Sequence, residues 1–310
     1  IIVIILVSFL SLFLVVIGLF SFPGFQTKLV QSFTYDLKKR TGQEVLIDKV
    51  SFKWNGRLKF SNFLILDHHN DTLLFVKDLS TSIKDFRKLK NNDYNFDRIE
   101  TSTVLLNIKK YPQEFSNSLN VFLNKLKKPS NEKRATFFKS SGITFSKSRF
   151  QYIDLNKARG NTVNIKDIEL YAENFKYQLD SFDVDLKMLK GVIESSESKP
   201  FEFTGKVNYS PGTLILPFFD IVNEKTHVKG SMSIRGKNNS FKNFNDNVKI
   251  ALSIDNSTLD ANALFPNKIK NLYKKPYKIS LTASGSLNNL SFKKVLLQNE
   301  ILFFSGDLNF

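Results

Sequence analysis

Two patterns of hydrophobic positions divide this chain. Residues 1–22, IIVIILVSFLSLFLVVIGLFSF, are apolar and carry no charge, whereas from Gln43 onward apolar and polar residues alternate with a period of two. At ~1.5 Å per residue the apolar run makes a helix of about 33 Å, enough for a hydrocarbon core of about 30 Å. The pattern therefore predicts a transmembrane anchor over 1–22. A cleaved signal peptide is the rival reading, but its apolar core usually spans only about 7–15 residues. The exit Ser21-Phe22-Pro23-Gly24 is also not a small-x-small cleavage site.

Between the anchor and the alternating region, Phe25, Leu29, Phe33 and Leu37 recur every four residues and Thr41-Gly42 supplies a stop. This predicts a juxtamembrane amphipathic helix within 23–42. Two roles stay open for it: lying in the membrane surface, or capping the first sheet.

The period then becomes two. Over 43–111, Val50, Phe52 and Trp54 alternate with Ser51 and Lys53, and Leu58 and Phe60 follow an Asn55-Gly56 turn, a strong hairpin signal. Thr72–Val76 and Val104, Leu106 and Ile108 predict further strands. At Pro112–Lys128 the spacing of Phe115, Leu119, Phe122, Leu123 and Leu126 predicts a helix, and Pro129–Arg134 reads as a linker. Residues 112–134 thus separate a first β segment, 43–111, from a second, 135–310.

In the second segment Phe182, Val184, Leu186 and Met188 alternate with Asp183, Asp185 and Lys187. Phe201 and Phe203 repeat the pattern, as do Val248, Ile250, Leu252 and Ile254. One apolar and one wet face per strand is the signature of an antiparallel sheet. A loose Gly-x-aliphatic motif recurs at Gly205, Gly230, Gly285 and Gly306, as suits bulges that bend a long sheet. The last such unit is interrupted at Phe310, and Ile1 is not a Met, so the sequence reads as a piece of a longer protein.

Composition narrows the chemistry. Zero Cys excludes disulfides, thiolate metal sites and thiol catalysis. His68 and His69 are adjacent, so on a strand they would point to opposite faces, and His227 stands alone. No phosphate-cradling glycine loop and no nucleophile elbow occurs. The reading is a non-enzyme without metal or cofactor. The net charge of +16 is spread along the chain without a nucleic-acid module, so nucleic acid is not the expected partner. Two explanations of the charge remain: contact with anionic lipid headgroups, or a solvated basic surface. Lys28, Lys38, Lys39 and Arg40 after the span would, read alone, favour a cytoplasmic body, but the opposite flank needed for the comparison is not in the sequence.

The stretch Thr41–Val50, then Leu58–Asp67 and Asp71–Phe75, resembles the start of AsmA-like proteins of the TamB branch, and Asn208–Leu216 with Thr226–Met232 is similar to their later parts. The resemblance implies a single-pass inner-membrane anchor with a periplasmic body. It also implies an elongated antiparallel sheet curled into a hydrophobic groove that carries phospholipid toward the outer membrane. The groove-lining candidates are then Val50, Phe52, Trp54, Phe182, Val184, Leu186, Met188, Phe201, Phe203, Val248, Ile250, Leu252 and Ile254. The alternative it implies is an assembly factor for outer-membrane proteins, pairing sheet edges beside an Omp85-type barrel. Periodicity alone leaves an open groove and a closed core equally compatible with these strands.

Overall fold

A computed structural model describes residues 34–35, 38–39, 41–52, 56–85, 88, 93–126, 137–156, 161–178, 180–194, 198–260, 276–300 and 302–309. The span expected at 1–22, the apolar positions Phe25 to Leu37 of the next helix, Trp54 and the linker 129–134 lie outside them, as do the side chains of Phe52 and Leu126. Among the described residues, no helix is long and apolar enough to cross a membrane. Strand makes up 73% of the structure and helix 9%, so the mostly-β expectation stands.

The chain forms two units. Unit 1 runs to Tyr171 and takes in Gly191–Ser198; unit 2 comprises Ala172–Lys190 and Lys199–Phe310. In unit 1, the backbone is helical at Thr34, Tyr35, Lys38, Lys39 and Thr41. Gly42 then turns left-handed (φ +65°) and its N–H donates to the Lys38 carbonyl at 2.8 Å, which closes the last helical turn at the stop the sequence predicts. Strands β1 (Val45–Phe52) and β2 (Arg57–Leu66) form the expected hairpin, with Phe52 opposite Leu58. β3 (Thr72–Ser82) extends it, followed by the short strands β4 (Asp93–Phe96), β5 (Ile99–Thr101) and β6 (Val104–Lys110).

Helix α1 (Ser118–Leu126) is shorter than the predicted Pro112–Lys128. Asn117 sets its start: its Oδ1 accepts the Asn120 N–H at 2.8 Å, a side-chain cap that takes precedence over the proline five residues earlier. Phe115, expected on the apolar face of the helix, consequently falls before it and is fully exposed, while Leu119 and Phe122 are buried.

The strand after α1, β7 (Phe137–Asp154), returns beside β4, β5 and β6 and pairs parallel with all three. Purely antiparallel pairing, expected from the alternation, fails here because a chain that leaves by a helical crossover re-enters in the same direction. Helix α1 and β7 both belong to unit 1. Leu58, Ile65, Leu73, Leu106, Phe138 and Phe150, each at most 1% exposed, fill the interior of this unit.

The long strands β8 (Asn161–Gln178) and β9 (Ser181–Glu194) give residues to both units. Unit 2 continues as β10 (Lys199–Ser210), β11 (Thr213–Asn223), β12 (Thr226–Gly236), β13 (Val248–Leu259), β14 (Tyr277–Ser286), β15 (Asn289–Gln298) and β16 (Phe303–Asn309). Each pairs antiparallel with the next. Every ladder in this run carries a register shift, as bulges produce. Asn256 and Lys294 hold left-handed backbone beside two of the shifts. Of the recurrent glycines, Gly205, Gly230 and Gly306 stand beside shifts, whereas Gly285 does not. A Cβ on Gly230 would stand 2.0 Å from the Ser253 carbonyl oxygen, so the neighbouring strand approaches closer than any side chain allows.

Candidate functional site

Burial along unit 2 changes character between β11 and β12. Up to β11 the apolar face is sealed: Phe182, Val184, Leu186, Phe201, Phe203, Val207, Leu214 and Leu216 are all buried. From β12 onward the same face stays in view. No residue of β12 or β16 is buried, and β13 buries only Val248 and Ser257. β14 buries Tyr277 and Ala283, and β15 only Val295.

Register sets the side chains of this face into rows that start from the buried Leu214 and Leu216 of β11. Leu216, Met232, Leu252, Ala283, Phe292 and Leu308 stand opposite one another across six strands. A second row runs Leu214, Ile234, Ile250, Gly285 and Leu290. At about 4.8 Å per strand, β12 to β16 present roughly 19 Å of apolar face. The bulges keep it apolar, because each extra residue restores the parity that a frame slip would otherwise reverse. The opposite face is small and polar: Ser233, Ala251, Ser284 and Ser291 lie side by side. The two apolar rows themselves carry no hydrogen-bonding side chain, so what they hold is a group whose binding depends on leaving water.

The sequence-derived candidates divide accordingly. Phe182, Val184, Leu186, Phe201, Phe203 and Val248 are interior, whereas Ile250, Leu252 and Ile254 sit on the open face. Val50 is half-buried in unit 1. Met188 departs from its expected place: one extra residue lies between the buried Leu186 and Leu189, so the interior parity passes to Leu189 and Met188 is half-exposed. Met232, Ile234, Leu290 and Phe292 complete the open face. Their alternation was visible, but whether another layer covers them is a tertiary property.

A polar constellation in unit 1 went unseen in the sequence. His68 and His69 occupy a turn between β2 and β3, not a strand, and both rings turn to one carboxylate. His68 Nε2 lies 2.8 Å from Glu114 Oε2, and His69 Nε2 lies 2.9 Å from Glu114 Oε1. The turn is held by Asp67, whose Oδ1 accepts the N–H groups of His69 and Asp71 at 2.8 and 3.0 Å. Tyr111 stacks on the His69 ring at 3.8 Å between centroids, and its hydroxyl reaches Asp67 and Asp71. Burial, then these two carboxylates, push the Tyr111 phenol well above its usual range. The hydrogen bond from Lys109, then that from Tyr111, holds the Asp71 carboxyl below its own. Glu114 is likewise lowered, by His69 first and His68 second. Adjacent histidines converge only in a turn, and a partner some 45 residues away leaves no local sequence signal.

No protein-family model matches this chain, and no curated protein matches it.

Proposed function

We propose that this chain is a lipid conduit: a protein anchored in the inner membrane by residues 1–22, its body in the periplasm, that passes phospholipid acyl chains along the apolar face of β12–β16 toward the outer membrane. The observation that carries the reading is the half-exposed apolar rows of that face, set against the sealed apolar face of β9–β11 in the same unit. A soluble sheet gains nothing from leaving such rows in water. An acyl chain gains about 0.8 kcal/mol for each methylene it buries, so about 15 methylenes carry roughly 12 kcal/mol. An uncovered apolar face lowers the barrier for moving them, and no catalytic group is needed.

Three further features support the reading. The apolar run at 1–22 has the length of a membrane span. The net charge of +16 suits a chain working beside anionic headgroups. The resemblance to AsmA-like proteins points the same way.

The test uses the full chain in lipid nanodiscs with a phospholipid whose acyl chain carries a photoreactive diazirine. Illumination should yield adducts on peptides of β12–β16, with the acyl chain attached at Met232, Leu252 or Phe292. Adducts confined to residues 1–22 would overturn the proposal.

A further inference from the structure

The His68–His69–Glu114 constellation belongs to unit 1, not to the strands that carry the apolar rows, and has a chemistry of its own. Its three donors, His68 Nε2, His69 Nε2 and a Glu114 carboxylate oxygen, all lie within 4.8 Å of one another. Two imidazole nitrogens and one carboxylate oxygen form the donor set of a three-ligand zinc site, whose metal bonds of about 2.0–2.2 Å place the donors roughly 3.3 Å apart. The present separations of 2.8 and 2.9 Å from each imidazole to the carboxylate lie within about 0.5 Å of that value.

The surroundings are built to hold the donors in place. Asp67 fixes the turn that carries both histidines through two backbone N–H groups, and the backbone closes it again where Asp67 N–H donates to the Asp71 carbonyl at 2.7 Å. The Tyr111 ring braces His69 from one side, and its hydroxyl is tied back to the same two aspartates. Rigid support of this kind is what converts nearby donors into a site. The His69 side chain is 44% exposed and Glu114 30%, so an ion has a route in and a fourth position open to water.

We propose that His68, His69 and Glu114 bind one divalent transition-metal ion of the Zn²⁺ type, cross-linking the β2–β3 turn to the loop that leads into α1. Imidazole donors select such an ion over Mg²⁺ and Ca²⁺, which take oxygen ligands. Bound metal favours the folded state, because the donors meet only there.

The experiment titrates Zn²⁺ into the full chain in detergent by calorimetry and follows the unfolding midpoint of the same samples by circular dichroism. The expected result is one equivalent bound per chain, a midpoint raised by a few degrees, and no competition from excess Mg²⁺. His69→Ala and the isosteric Glu114→Gln should each weaken binding at least ~tenfold while keeping the β spectrum. His227→Ala, at the His227–Asp220 pair of unit 2, should bind as the parent does. Absence of stoichiometric binding, binding unchanged in both His69→Ala and Glu114→Gln, or equal competition by Mg²⁺ would overturn the assignment.

Discussion

Replacing Ile250 by glutamate separates an open apolar face from a closed core. Ile250 is half-buried on β13, with Ile234 opposite on β12 and Gly285 on β14. Burying an isoleucine fully is worth about 1.5–3 kcal/mol, so losing a half-buried one costs folding about 1 kcal/mol. The new carboxylate keeps its hydration, since Ile250 is only half-buried on this face. An acyl chain laid across the same position must strip that water, and the effective penalty for desolvating an ion is several kcal/mol. Taking about 3 kcal/mol, and 1.4 kcal/mol per factor of ten, acyl-chain binding falls roughly 100-fold. Photolabelling of the full chain in nanodiscs at limiting probe reads this directly, with a thermal melt to confirm folding. Labelling of a folded Ile250→Glu variant within twofold of the parent would refute the reasoning. Leu186→Arg behaves in the opposite way. Leu186 is only 3% exposed, so an arginine there is an unpaired buried charge and abolishes folding before lipid binding can be asked about.

Other perturbations test the framework. Gly230→Ala should lower stability by about 2 kcal/mol or more, because its Cβ would lie 2.0 Å from the Ser253 carbonyl oxygen; an unchanged melting temperature would show that β12 and β13 are not so close. Asn117→Ala should cost about 1 kcal/mol through loss of the cap on α1, measured by urea unfolding, with Asn117→Asp close to neutral. The carboxyl of Asp71 is lowered below 3.8 in the folded state, so its contribution is present above the unfolded value and is lost as pH falls through the folded one. Denaturation midpoints below about pH 4 should therefore fall more steeply for the parent than for Asp71→Asn.

Much of the fold was legible because it is local. Alternation at Phe182–Leu186 and Val248–Ile254 placed strands, Asn55-Gly56 placed a hairpin, and Thr41-Gly42 placed a helix end. What could not be read depends on distant partners. The parallel return of β7 beside β4, β5 and β6 is a choice of neighbours, and nothing in Phe137–Asp154 distinguishes it from another antiparallel strand. The change of burial parity that moves Met188 out of the interior leaves no break in the run of β-formers. Ile250 and Leu186 look alike in sequence, since each is an aliphatic residue in a run with a period of two. Only the packing of unit 2 shows that one is half-open and the other sealed. The His68–His69–Glu114 cluster was missed for the same reason: a turn, not a strand, carries the histidines, and Glu114 arrives from a separate loop.

Because the chain has no cysteine, single-cysteine nitroxide labels can be placed without background. Labels at Met232, Leu252 and Phe292, compared with labels at Ser233, Ser253 and Ser291, report the two faces of β12, β13 and β15 in turn. With phospholipid supplied, the first three should lose accessibility to a water-soluble paramagnetic relaxant and gain accessibility to oxygen, while the serine positions stay unchanged. Identical accessibility with and without phospholipid at Met232, Leu252 and Phe292 would contradict the claim that acyl chains occupy this face.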